Sequence, residues 1–274
     1  MTLNGFGRSL AALVLATGVG LGVGSSYTFA SNRVFSQPKF QKSYNGSVVD
    51  AKLDIDNYVN VSLKESIKEV GLSGGYYFVP EPSIYFSPKN KILGKPFDNE
   101  RNIPVYLDKN TKHIPSKKDL EKAIGKAFGY AIMYNIPGFH ECDEEEKPIP
   151  MSGCLVDFDT EKYSAEAYFS DGNVDLKVRL DTFVKSKEGE LKFRDYISNT
   201  NSDLYDLWQV AKEITDVQSD SREWIGDELI GKIASDNNVM LKNVSWTGED
   251  SKTVLYNVVK GDEVFSFAHR FPNK

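Results

Sequence analysis

The chain has 274 residues, of which 40% are hydrophobic and 26% charged, so it can bury a sizeable core without covalent staples and is not compositionally disordered. Its formal net charge is -6, and the region after residue 30 holds 32 basic against 39 acidic residues. That balance argues against a nucleic-acid partner, which requires a basic face toward phosphate.

From Ser9 to Asn32 no residue is charged; "LAALVLATGVGLGVG" forms the centre, with Arg8 before the run and Arg33 after it. Residues 1–32 therefore read as a signal peptide or a membrane anchor. The apolar centre has signal-peptide length and "TFA" ends at Ala30 with small residues where a signal peptidase reads, while the whole run is long enough for a helix across a ~30 Å hydrocarbon core. Both readings put the remainder outside the cytoplasm, membrane-anchored or secreted, with the membrane as partner if the segment is retained. Residues 33–57 are rich in Ser, Asn and Gln and read as a polar linker. The extracytoplasmic domain is expected over 58–274, with 58–112 as an irregular lead-in rich in proline and aromatic residues.

Within that lead-in, "NVSLKESIKEV" (60–70) predicts a short helix stopped by Gly71. The following Gly71-Leu72-Ser73-Gly74-Gly75 matches G-x-S-x-G, but a nucleophile elbow needs a strand entering and a helix leaving. Here a helix enters and "YYFVP" leaves, so the stretch reads as a helix stop. Prolines at 80, 82, 88, 96 and 104 confine this part of the chain to short or edge strands.

A helix is predicted to start at Ser116, with Asp119 in the capping-box position. Leu120, Ile124, Phe128 and Ala131, backed by Ala123, Ala127 and Tyr134, line one face at the helical period. After Cys154 the period changes to two. Tyr163, Ala165, Ala167 and Phe169 alternate with polar neighbours, Asp171-Gly172 turns the chain, and Val174, Leu176, Val178 and Leu180 alternate back. "KEG" (187–189) makes a second turn, so 154–197 reads as an antiparallel meander solvated on one face. Ser202 caps a helix whose stripe is Leu204, Leu207, Trp208, Ala211 and Ile214. "SREWIGDELIGKIAS" supplies the next helix, and a hairpin turning at Gly261-Asp262 closes the chain. Strands and helices in separate runs give an α+β class: an antiparallel, hairpin-built sheet with three packed helices.

The stretch "GFHECDEEEKPIPMSGC" (138–154) carries both cysteines and His140. Outside the cytoplasm an even cysteine count reads as a disulfide. A Cys142–Cys154 bridge would close a loop of about a dozen residues and stabilise by roughly 3 kcal/mol in the chain-entropy treatment. The competing reading is a zinc site from His140, Cys142, Cys154 and a carboxylate such as Glu141; the spacing matches no zinc module. The acidic run Glu141 to Glu146 lacks the calcium-loop spacing. Asp157, Asp159 and Glu161 share a strand face and read as its solvent side. His113 reads as a solvated loop residue. His269 shares strand parity with Phe265, Phe267 and Phe271, so it is expected on an apolar face with its ring bonded to backbone. No phosphate loop, kinase signature or dinucleotide fingerprint is present, and no cofactor, catalytic or metal-ligating residue is expected.

Three segments in this order, "IPVYLDKNTKHIPSKKDLEKAIGKAFGYAIMYNIPGF" (103–139), "DLYDLWQVAKEITDVQSDSREWI" (203–225) and "TVLYNVVKGDEVFSFAHRF" (253–271), resemble an uncharacterised group of exported or single-pass membrane-anchored proteins of small-genome archaea. The resemblance implies topology and an external location. It implies no chemistry, because the group offers no catalytic or binding residues to transfer. The function expected is a non-enzymatic extracytoplasmic structural or binding domain. The alternatives are an exported hydrolase or metal-dependent enzyme using His140 and nearby carboxylates, and an envelope assembly factor binding peptides at a sheet edge.

Overall fold

The computed structural model describes residues 46–86, 101–136, 149–221, 224–247 and 251–272. Four helices occur among them: α1 (Val48–Leu72), α2 (Lys117–Asn135), α3 (Leu204–Asp220) and α4 (Gly226–Asp236). The strands are β1 (Ser83–Phe86), β2 (Arg101–Asp108), β3 (Thr111–Lys112), β4 (Ile149–Met151), β5 (Cys154–Ser170), β6 (Asn173–Ser186), β7 (Gly189–Asn201), β8 (Met240–Thr247), β9 (Ser251–Lys260) and β10 (Glu263–Pro272). They form two sheets, ordered β1-β2-β10-β9-β8 with β3 on β2, and β4-β5-β6-β7. The class is α+β. The four helices among the described residues are the three packed helices expected and a longer form of the short helix expected at 60–70, but one sheet is mixed: β10 runs parallel to β2, with a bulge between the Ala268–Val105 and His269–Leu107 pairs.

The described residues fall into two compact units, one within Met1–Asn57, Ile136–Ser164 and Val178–Tyr196, the other within Tyr58–Asn135, Ala165–Lys177 and Ile197–Lys274. Both boundaries of the expected linker and lead-in shift. Residues 48–57 are helical, because Val48, Ala51, Ile55 and Val59 recur every three or four positions and all are buried. Their apolar stripe outweighs the polar residues between them. Residues 58–72 continue the helix, and 83–86 and 101–108 are strands.

In the first unit, Ser152 and Gly153 adopt positive φ (46° and 72°) and turn β4 into β5 in two residues, the backbone a tight hairpin requires. The Gly46 amide donates to the Gly153 carbonyl at 3.3 Å. A side chain at Gly46 would fall 1.8 Å from the Ser152 carbonyl oxygen, so this close approach demands glycine. Ser152 Oγ also donates to the Asp54 carboxylate. Lys52 Nζ lies 4.6 Å from the Tyr196 ring centre and 5.7 Å from that of Phe193, a cation–π arrangement. On the same unit the buried Asp181 carboxylate receives Lys192 Nζ at 2.7 Å and has Arg194 Nε at 3.5 Å. The Lys192 hydrogen bond, with the charges of Lys192 and Arg194 behind it, holds the carboxyl below its usual range against the opposing effect of burial.

In the second unit the larger sheet is covered on both faces. Leu72, Ile103, Val105, Leu255 and Ala268 form one cluster, with Ile84 and Val264 beside it. The other face carries aromatic rings: Phe267 lies 5.0 Å from Tyr256 and 5.1 Å from Tyr106, ring centre to ring centre. α3 packs against β10 and β9 through Leu207, Val210, Ala211 and Ile214. Its N-terminus follows the predicted serine: the Leu204 amide donates to Ser202 Oγ at 3.1 Å. α2 likewise opens on a reciprocal capping box, with Asp119 N–H to Ser116 Oγ at 3.2 Å and Ser116 N–H to the Asp119 carboxylate at 3.0 Å. The stripe of α2 runs through Leu120, Ile124, Phe128 and Ile132, all buried. This spacing of four drifts around the helix, so Tyr134, expected on the apolar face, is 45% exposed.

Candidate aromatic binding surface

α1 ends at Leu72, and Gly74 and Gly75 follow with φ of 56° and 79°, a left-handed turn that glycine adopts at no steric cost. Space demands glycine here as well, because a Cβ at Gly74 would lie 2.5 Å from Pro104 Cγ and from the Ser266 carbonyl oxygen. Ser73 therefore sits in a helix-terminating turn, as its context in the sequence indicates. The "YYFVP" stretch after it is not a strand; the first strand begins at Ser83.

Two tyrosines anchor this loop. Tyr106 Oη donates to the Gly74 carbonyl at 2.8 Å from full burial, and Tyr76 Oη donates to the His113 carbonyl at 2.9 Å. With Tyr76 turned inward, the next residues reach the surface. Phe78 is 64% exposed, and its ring meets that of Tyr77 edge-on at 4.4 Å. From α2, Tyr130 and Tyr134 tilt against each other at 4.7 Å, with their hydroxyls 2.9 Å apart. Partial burial pushes the Tyr130 phenol up to about 12, helped by the hydrogen bond to Tyr134 and by the nearness of Tyr134 and Tyr77. Burial and then Tyr134 raise Tyr77. Tyr77 with Phe78 and Tyr130 with Tyr134 thus form two ring pairs, close enough for Tyr134 to act on the Tyr77 phenol. The patch offers ring faces plus hydroxyl donors and acceptors.

The residues singled out by sequence are dispersed. Cys154 begins β5 as a buried thiol, pushed up by burial and by Asp50 and Glu188. Its expected partner Cys142, with His140 and the acidic run Glu141 to Glu146, lies outside the described residues, as does the apolar stretch from Ser9 to Asn32. No helix among the described residues is long and apolar enough to cross a membrane. Asp157 and Asp159 are half-buried on β5. Among the described residues no three His, Cys, Asp or Glu side chains gather as metal ligands would.

His113 is half-buried, its amide bonded to the Tyr106 carbonyl at 2.8 Å. His269 is fully buried beneath α3, and its Nε2 pairs with Thr215 Oγ1 at 3.0 Å. The partner of Nε2 is therefore a side-chain hydroxyl and not, as expected, backbone, and Nδ1 is buried with no hydrogen-bond partner among the described residues. Burial pushes the imidazole down to about 3, so it is neutral in the fold. Glu263, which no motif in the sequence marks, is the one carboxyl among the described residues raised strongly, to about 7.

No family model, curated protein or solved structure matches the chain.

Proposed function

We propose that the chain is a non-enzymatic extracytoplasmic domain that binds a cell-surface or secreted partner through Tyr77, Phe78, Tyr130 and Tyr134. The observation that carries this reading is the pairing of exposed Phe78 and Tyr134 with half-buried Tyr77 and Tyr130: aromatic surface with hydroxyl donors is the composition of a contact site, because rings supply apolar area at low entropic cost and phenols supply orientation. The external location rests on the uncharged run from Ser9 to Asn32 and on the order of segments shared with the exported archaeal group. A Cys142–Cys154 disulfide belongs to the same reading, with the N-terminal segment tethering the domain if it is not removed.

One observation favours peptide binding by strand addition as a second mode. β7 ends the order of its sheet and exposes Leu191 (53%) and Ile197 (79%), and an unpaired strand edge is a template for another chain.

The test is retention of the full chain on envelope fractions from its host, beside a Phe78→Ala/Tyr134→Ala variant. At least tenfold weaker retention with an unchanged melting transition is expected, on the scale of two lost aromatic contacts; equal retention removes the patch from the proposal. Intact mass of the natively expressed protein, with and without reductant, addresses location. Cleavage near Ala30 or recovery in the membrane fraction, with a gain of two hydrogens on reduction, is expected; a full-length cytosolic chain with no gain overturns the external reading.

A further inference from the structure

We infer that Glu263 is the pH-sensitive element of a latch holding the β9–β10 hairpin tip to the start of α3. The latch centres on Ser202. Its amide donates to the Gly172 carbonyl in the β5–β6 turn at 3.0 Å, its hydroxyl accepts the Leu204 amide at 3.1 Å, and the same hydroxyl donates to Glu263 Oε2 at 3.0 Å. One serine thus joins a meander turn, a helix start and the last hairpin.

The charges around the joint are divided unevenly. Lys260 faces Glu263 across the hairpin, yet its ammonium goes to Asp203 at 2.7 Å and Asp206 at 3.0 Å. Both pairings raise the lysine's own affinity for its proton. Glu263 is left half-buried with no ion pair among the described residues, between Asp203 on the helix side and Asp262 in its own turn. The meander turn contributes Asp171 beside Gly172. The end of α1, which approaches Val264 through Gly71, contributes Lys68, exposed, and Glu69, whose carboxylate pairs with Arg101 at 3.5 Å. Among the described residues no cation therefore pairs with a charge on Glu263, and a neutral carboxyl is the form this position favours. Burial raises the group first, Asp203 and Asp262 add to it, and the hydrogen bonds from Ser202 and the Asp203 backbone oppose it.

A carboxyl raised in the closed state holds its proton more tightly there than when the tip is released. The latch is strongest below the ordinary glutamate range near 4.5, weakens as pH rises, and levels off once Glu263 is ionised in the closed state, near 7. Opening of the tip should rise on the order of tenfold between pH 5 and 8, allowing for solvent screening on the exposed side of the group.

The experiment is amide hydrogen exchange on the full chain, corrected for intrinsic rates, at Ser202, Leu204 and the 260–264 tip across pH 5–8, beside a carbon-13 titration of the Glu263 side chain. Expected are a protection loss of about tenfold in the wild type, a side-chain midpoint near 7, and pH-independent protection in Glu263→Gln, which mimics the neutral acid. Asp203→Asn should lower the midpoint. A midpoint below 5, or the same protection loss in Glu263→Gln as in the wild type, overturns the inference. The wild-type titration decides the matter even if a variant fails to fold.

Discussion

The meander and the closing hairpin both reverse through two-residue turns and bury their strands in opposite ways. Asp171-Gly172 turns β5 into β6 with both residues at positive φ, and Gly261 with φ of 60° turns β9 into β10. Beyond the turns they diverge. β6 alternates buried and exposed residues along most of its length and β7 is largely exposed, whereas β9 is buried from Thr253 to Val258 and β10 from Phe265 to His269. A strand covered on both faces has no side on which to leave a polar group in water. Polar residues of the hairpin accordingly find partners within the protein: Ser266 Oγ donates to Asn257 Oδ1 at 2.7 Å inside the hairpin, and His269 Nε2 meets Thr215 of α3. Turn residues specify where a chain reverses; the layers laid over the strands decide what each residue costs to change.

The largest expected difference between the two regions is in tolerance of truncation. Phe267→Ala removes a fully buried ring that touches Tyr106 and Tyr256 and should cost about 3–5 kcal/mol in denaturant unfolding. Ile197→Ala on β7, 79% exposed, should change stability by about 0.5 kcal/mol or less. Similar losses at the two sites would erase the contrast.

A smaller effect sharpens it through pH. Since His269 is held neutral, with a folded value near 3 against 6.5 for the free side chain, the unfolded chain takes up a proton that the fold refuses. Stability from this group is complete above about pH 6.5 and falls as pH drops toward 3, by on the order of 2–4 kcal/mol. His269→Gln should flatten that limb in urea titrations at stepped pH. A limb of unchanged depth would show that other groups cause it. The sign is opposite to that of Glu263 in the same hairpin, so the two groups favour opposite ends of the acid range.

A more modest effect than those of Phe267 and His269 lies outside both hairpins and calibrates them. Ser116→Ala should lower stability by about 1 kcal/mol through loss of the α2 cap, measured by thermal melting. Restoration by Ser116→Asn would identify the cap as the cause.

Legibility in the sequence followed locality. The α2 cap, the α3 stripe and the meander turns are encoded within a few residues each and stand where their patterns place them. The start of α1 was obscured because Val48, Ala51 and Ile55 are interleaved with Asp50, Lys52, Asp54 and Asp56, which read as linker composition. The parallel pairing of β2 with β10 joins residues far apart in the chain, and no turn announces it. The candidate site was legible only as composition. "YYF" and the α2 tyrosines are visible, but whether Tyr134 faces core or solvent depends on a stripe spaced by four rather than 3.6. Glu263 escaped because its environment is made by Ser202, Asp203 and Lys260, which only the folded chain gathers.

The pairing of β2 with β10 also sets a timetable. β2 has neighbours on one side from the start of synthesis, in β1 and β3, but its other edge waits for residues 263–272, more than 150 positions later. Contacts of such sequence separation close slowly and late, so the larger sheet cannot be completed on a nascent chain until its last strand has emerged. The same pairing also makes removal of β10 more damaging than any single substitution named above, because the missing strand would expose an edge of β2 and an edge of β9 at once.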